Sequence, residues 1–163
     1  MTTTHAPHST PTTPTHAPAL DPRVIALAHY ASRGVLEAVL GRHGVSFQEQ
    51  VTMRPVATAG GPVERADLIR VMTDALKVPA SSIGETVDGL IGKGLLTADG
   101  SGPLRLTDAG QALYETTGAE SRPITTRIYD GIPAEDLAVA GRVLTLIAER
   151  AGAELDGLRT QRA

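Results

Sequence analysis

The chain has 163 residues, a formal net charge of −3, 41% hydrophobic but only 2% aromatic residues, and no cysteine. That is material for one domain whose core is built from Leu, Val, Ile and Ala, a palette suited to helices packed closely on helices. The missing cysteine excludes disulfides, thiolate metal sites and thiol catalysis, and the negative balance excludes bulk polycationic attraction to nucleic acid.

No apolar stretch approaches the roughly 20 residues that span a bilayer. The N-terminus carries neither a basic n-region nor an apolar h-region. The expectation is a soluble, cytoplasmic protein with no membrane partner.

Residues 1–19 are almost entirely Thr, Pro, His, Ala and Ser. Such a segment cannot bury enough apolar surface to offset its ordering entropy, so it is predicted to be a disordered tail. Its His5, His8 and His16 suggest ligands, but a Pro-rich tail offers no preorganised cluster, and no metal site is expected.

Residues 20–45 form the first ordered unit. Asp21 is suited to an N-cap and Pro22 to the first helical position. Val24, Ala28, Ala31, Val35 and Val39 recur at helical spacing, widened by Ile25, Leu36 and Leu40, until Gly44. His29 and His43 on or beside this helix read as packing or surface residues.

Residues 46–107 form a second unit. Ser46 followed by Glu49 is a capping box, opening a helix that Pro55 is expected to kink or end early. In the next helix Val63, Leu68, Val71, Met72, Ala75 and Leu76 define the predicted inner face. After a break at residues 77–80, "SSIGETVDGLIGKG" places Ile83, Val87, Leu90 and Ile91 on one stripe, with Ser82, Gly84, Glu85, Asp88 and Gly92 opposite and Gly94 as terminator. Two extended runs, 95–97 and 104–106, flank a turn of Asp99, Gly100, Ser101, Gly102 and Pro103, the signature of a β-hairpin.

Residues 108–163 form the last unit. Thr107 caps a helix whose middle is weakened by Gly118 and Pro123, predicting a break near Arg122. In the closing helix Leu137, Ala140, Leu144, Ile147, Ala151, Leu155 and Leu158 follow a spacing of threes and fours. Such a narrow stripe with small members suits a partner helix, and Val35, Leu137, Ala140, Leu144, Ile147 and Ala151 are the expected interface.

Helix, helix, helix, tight break, helix, glycine and hairpin, in that order, make a winged helix-turn-helix. The fold class is therefore mainly α, with long N- and C-terminal dimerisation helices and one short β-hairpin wing. From about Leu20 onward the sequence resembles the MarR family of bacterial transcriptional regulators. The resemblance lies in "VDGLIGKGLL" (87–96), similar to the family's "VDRLEKKGLV", in "LRLTDAGQAL" (104–113), which holds its "LTxxG", and in the closing helix "GIPAEDLAVAGRVLTLIAERA" (131–151). It implies a homodimer that seats two winged units on a palindromic operator in double-stranded DNA. It also implies release of that DNA by a small, often aromatic effector. No cofactor is implied.

The departures from the family are chemical. Glu85 and Gly89 stand where members often carry arginine or another polar, DNA-facing residue, and Thr97 where a basic residue is common. The wing reads "ADGSGP" in place of an Asp-Arg-Arg cluster. Between residues 79 and 106 the cations are Lys93 and Arg105, against Glu85, Asp88 and Asp99. Candidate DNA contacts are Ser81 and Ser82 at the helix N-terminus, Glu85 towards a cytosine amino group, Arg54, Arg65, Arg70 and Lys77 as backbone clamps, and Arg105 on the wing. Tyr30, Phe47, Tyr114 and Tyr129 are the only aromatics; the first three are the candidate effector residues. An alternative remains open, a winged-helix protein that has lost DNA binding and acts through contacts with a related regulator. An enzyme is not expected, since no phosphate-cradling glycine loop, catalytic triad or metal-ligand spacing is present.

Overall fold

The computed structural model describes residues 19–98, 100 and 102–161. Residues 1–18 of the predicted tail, with its three histidines, and Asp99 and Ser101 of the wing turn lie outside the described residues. Six helices and one hairpin follow in order: α1 (Pro22–Leu40), a 3-10 turn (Gly41–His43), α2 (Phe47–Thr58), α3 (Arg65–Leu76), α4 (Ala80–Gly92), β1 (Leu96–Ala98), β2 (Leu104–Leu106), α5 (Asp108–Tyr129) and α6 (Ala134–Thr160).

The helix starts follow from local chemistry. The Asp21 carboxylate accepts from the Val24 N–H at 2.8 Å with Pro22 behind it. The capping box of α2 is complete, Ser46 Oγ accepting from Glu49 N and Glu49 Oε2 from Ser46 N. Each cap satisfies donors that the first helical turn would otherwise leave unpaired.

The core lies between Val45 and Leu104. Met53 from α2, Leu68 and Met72 from α3, Ile83, Val87 and Leu90 from α4, and Leu96 and Leu104 from the hairpin form one buried cluster. Two expectations for α3 are corrected here. Val71 is 45% exposed and Ala75 is also exposed. Val63 is not helical; its backbone exchanges both hydrogen bonds with Leu104, at 2.9 and 2.7 Å, and so extends the hairpin by one bridge. The helical stripe drawn from sequence ran past the true helix start at Arg65.

Neither internal proline ends its helix at once. α2 runs through Pro55 for a further turn. α5 runs unbroken for 22 residues through Pro123, so the predicted break near Arg122 is absent. Pro123 removes the donor that would serve the Ala119 carbonyl, and Ala119 is exposed, so water can serve it instead.

β1 pairs antiparallel with β2, Leu96 opposite Leu106, Thr97 opposite Arg105 and Ala98 opposite Leu104. The predicted first strand is shifted by one residue, because Leu95 closes the α4 terminus with its N–H on the Leu90 carbonyl. Gly94 takes the left-handed conformation (φ 68°) that this reversal requires. The start of α5 then docks against the same corner. Thr107 Oγ1 donates to the Gly94 carbonyl at 2.6 Å and accepts from Gly110 N at 3.0 Å. A Cβ on Gly110 would collide with the Leu95 carbonyl oxygen and lie 3.0 Å from Leu106 Cδ2. This backbone-to-backbone approach is the physical content of the "LTDAG" stretch.

The flanking helices differ from this unit. Only Val39 and Leu40 of α1 are buried, and α6 has no buried residue at all. Arg42 Nη2 and His43 Nε2 reach Glu120 on α5 at 2.7 and 3.1 Å and pin the end of α1 to α5. By length and composition alone Pro22–His43 is apolar enough to cross a membrane. The core helix of a soluble protein passes the same test, and the segment's apolar residues are interrupted by Arg33 and Glu37, which pair at 2.8 Å.

Candidate nucleic-acid interface

α3 ends on Lys77, the one non-glycine residue with positive φ (54°) among the described residues, and Val78 and Pro79 then carry the chain into α4. This tight turn sets α4 across α3 with Ile83, Val87 and Leu90 fully buried. Ser81, Glu85, Asp88, Gly89 and Gly92 are left facing solvent. On the adjacent wing, Thr97 and Arg105 are cross-strand partners and both exposed, while Leu96 and Leu104 point inward.

Three side-chain clamps hold α4 from the flanks. Gln48 of α2 donates from Nε2 to Thr86 Oγ1 at 2.8 Å and to Ser82 Oγ at 3.1 Å. Arg65, at the start of α3, reaches Asp88 Oδ1 at 2.8 Å and the Gly84 carbonyl at 3.4 Å. Lys93 donates to the Gly44 carbonyl at 2.9 Å and pairs with Glu49 Oε1 at 2.8 Å. Burial raises the Glu49 carboxyl, but the Lys93 ammonium and the Ser46 N–H and hydroxyl outweigh it and hold Glu49 below its ordinary value.

These pairings decide what the predicted DNA contacts have to offer. Residues 46–107 contain six cations. Four are engaged by carboxylates: Arg65 by Asp88, Arg70 by Asp67 (2.8 Å), Lys77 by Asp74 (2.6 Å) and Lys93 by Glu49. Of these six, Arg54 and Arg105 have no ion pair among the described residues. Ser81 and Glu85 are exposed on α4, whereas Ser82 is half-buried and turned towards Gln48. Arg70 lines a cleft with Arg159 of α6, and Lys77 Nζ lies beside Gly152, so both occupy the side of α3 that faces α6. The structure thus gathers Ser81, Glu85 and Arg65 around α4 and leaves Arg70 and Lys77 elsewhere.

The candidate effector residues also separate. Phe47 helps line a pocket of 270 Å³ between α1, α2 and α3 with His29, Arg33, Gln48, Ala75 and Val78. The Arg33 guanidinium lies 4.8 Å from the Phe47 ring centre, within cation–π range. Tyr30 is 66% exposed, its ring 5.5 Å from that of His29, and Tyr114 packs half-buried against the core. Tyr129 lines a separate groove between α1 and α5. His29, Arg33 and Gln48 were not among the effector candidates; nothing in the local sequence ties α1 residues to Phe47. No group of three or more His, Cys, Asp or Glu residues able to hold a metal occurs among the described residues.

A half-exposed helix after a tight turn, backed by two helices and flanked by a hairpin, defines a winged helix-turn-helix protein, with the fold of MarR-family transcriptional regulators. The chain is similar to CouR from Rhodococcus jostii RHA1 bound to p-coumaroyl-CoA, at 18% identity over 77% of this chain and 88% of that one, with a TM-score of 0.65. It is similar to a MarR family transcriptional regulator from Silicibacter pomeroyi at 23% identity over 79% and 91% of the two chains, TM-score 0.63. It is also similar to NadR in complex with 4-hydroxyphenylacetate, at 20% identity over 80% and 96%, TM-score 0.65. No family model matches the sequence, and no curated protein matches it.

Proposed function

We propose that this chain is a homodimeric, MarR-like transcriptional regulator, not an enzyme, which binds operator DNA through α4 and the wing and is modulated by a small aromatic effector. The observation that carries the reading is the placement of α4: its inner face is fully buried, its outer face is free, and the Arg105 wing stands beside it. Ser81 donates to phosphate, Glu85 accepts from a cytosine amino group, and Arg54 and Arg105 neutralise phosphates. Dimerisation is supported by the apolar surface that the chain leaves uncovered. Val35, Leu144 and Ile147 are each about two-fifths exposed, and Leu137, Ala140 and Ala151 continue the same stripe along α6.

The effector site is the pocket beside Phe47. A planar ring packs beside Phe47 and an acid group meets the Arg33 N–H groups that its Nε bond to Glu37 leaves over, which fits an aromatic acid. Neighbours in this fold hold p-coumaroyl-CoA and 4-hydroxyphenylacetate, which supports that ligand class.

A second reading is favoured by one observation, the engagement of four of the six winged-unit cations by carboxylates. In it the chain has given up DNA and acts through contacts with a related regulator. The two readings part on a salt series with the purified protein and DNA from its own upstream region. Arg54 and Arg105 from two protomers give about four neutralised phosphates, hence a slope of log K on log salt near −4. Asp88→Asn releases Arg65 and should steepen that slope by about 2. No retardation at low salt would remove the DNA reading and leave the second.

A further inference from the structure

We infer that Gln48 is the positioning residue through which the recognition helix α4 senses occupancy of the pocket beside Phe47. The inference rests on the proposed effector reading of that pocket and names how the site is regulated. Of the three clamps on α4, two use Arg65 with Asp88 and Lys93 with Glu49, and none of those four residues lines the pocket. Gln48 does both. One side of it faces Arg33, Phe47 and Ala75 in the pocket, and it also lines the polar groove on the α4 side with Ser82, Glu85 and Thr86.

The chemistry of the exchange is specific. Nε2 of Gln48 has two hydrogens, and both serve α4: one goes to Thr86 Oγ1 and the other to Ser82, whose Oγ is at 3.1 Å and carbonyl at 3.4 Å. A carboxylate drawn into the pocket by Arg33 is a stronger acceptor than either hydroxyl. Once it accepts from Nε2, Thr86 keeps only its bond to the Ser82 carbonyl within its own helix, at 2.8 Å. The N-terminal half of α4, which carries Ser81 and Glu85, then loses its tie to α2, while Arg65 and Lys93 still hold its middle and C-terminal end. A ligand that fills the pocket without touching Gln48 has no such lever, since a ligand shifts a conformation only by differential contact.

The test places a carboxylate in the pocket without any ligand. Ala75, an exposed residue on the pocket wall, is replaced by Glu and, as a control for added bulk, by Leu, and hydrogen exchange over residues 80–92 is followed in the Gln48 protein and in Gln48→Met. With Gln48 present, Ala75→Glu should speed exchange in the N-terminal half of α4 by about tenfold over Ala75→Leu; in Gln48→Met the added effect should stay below about twofold. Equal acceleration in both backgrounds, or none with Gln48 present, would overturn the inference. Where circular dichroism shows that the Glu variant is not folded, Ala75→Asp takes its place under the same criteria. A separate arm adds 4-hydroxyphenylacetate to the wild type on upstream DNA. DNA retained at saturating probe sinks the effector reading, while the exchange arm still decides the role of Gln48. DNA released equally from wild type and Gln48→Met upholds the effector site and overturns Gln48 as its link to α4.

Discussion

The winged unit and the helices that flank it draw on the same Leu, Val, Ile and Ala, but dispose of them in opposite ways. Between Val45 and Leu104 the large apolar side chains meet one another, and Met53, Ile83, Val87, Leu90 and Leu104 are wholly enclosed. Along α6, by contrast, Val139, Val143, Leu144, Leu146 and Ile147 remain exposed over successive turns. A stripe of equal regularity therefore closes a core in one region and presents a surface in the other. Periodicity states that a face is apolar; it does not state whose surface covers it.

The difference can be broken most severely at Gly110, where the winged unit joins α5. Gly110→Ala places a methyl group against the Leu95 backbone, which has no rotamer with which to retreat. A loss of about 3 kcal/mol or more is expected in urea denaturation, independent of protein concentration. A loss under about 1 kcal/mol would show that the α5 corner relaxes freely.

The flanking region should respond in another way. Leu144→Glu, on the exposed face of α6, should convert the proposed dimer to monomer in size-exclusion mass measurement. It should lower apparent stability by on the order of 2 kcal/mol at working concentration and abolish its dependence on concentration. An unaltered dimer would place the interface elsewhere and leave the α6 stripe without an assigned role.

The smallest effect is the clamp between α2 and α4. Glu49 is held below its ordinary carboxyl value, so its contribution is present above the unfolded value near 4.5 and is lost as pH falls through the lower folded value. Glu49→Gln should therefore cost up to about 1 kcal/mol at pH 7, discounted because Lys93 is partly exposed, and nothing once the carboxyl is protonated. Urea midpoints of both proteins at neutral and strongly acid pH check this; an equal gap at both would assign the effect to packing.

What was legible from sequence is what short-range geometry dictates. Asp21, Ser46 and Thr107 cap their helices because a side-chain oxygen two or three residues away is enough to do so. The α4 stripe of Ile83, Val87 and Leu90, the left-handed Gly94 and the paired strand at residues 104–106 follow from equally local rules. Where sequence reasoning failed, the deciding partner was remote or was water. Val63 left its expected helix for Leu104, more than forty positions away, and α5 ran through Pro123 because solvent can serve the orphaned carbonyl.

Helix α4 divides along the same line. Its position, its buried stripe and its acidic outer face could be read from residues 81–96 alone. That Asp88 takes Arg65 out of play, and that Gln48 stands between the pocket and Ser82 and Thr86, could not. Those contacts join residues more than twenty or thirty positions apart, and only the packing of α2 and α3 on α4 brings them within reach. The sequence by itself determined which helix faces outward; the tertiary structure decided which of its neighbours' charges and amides remain available, because electrostatic pairing depends on distance in space and not along the chain.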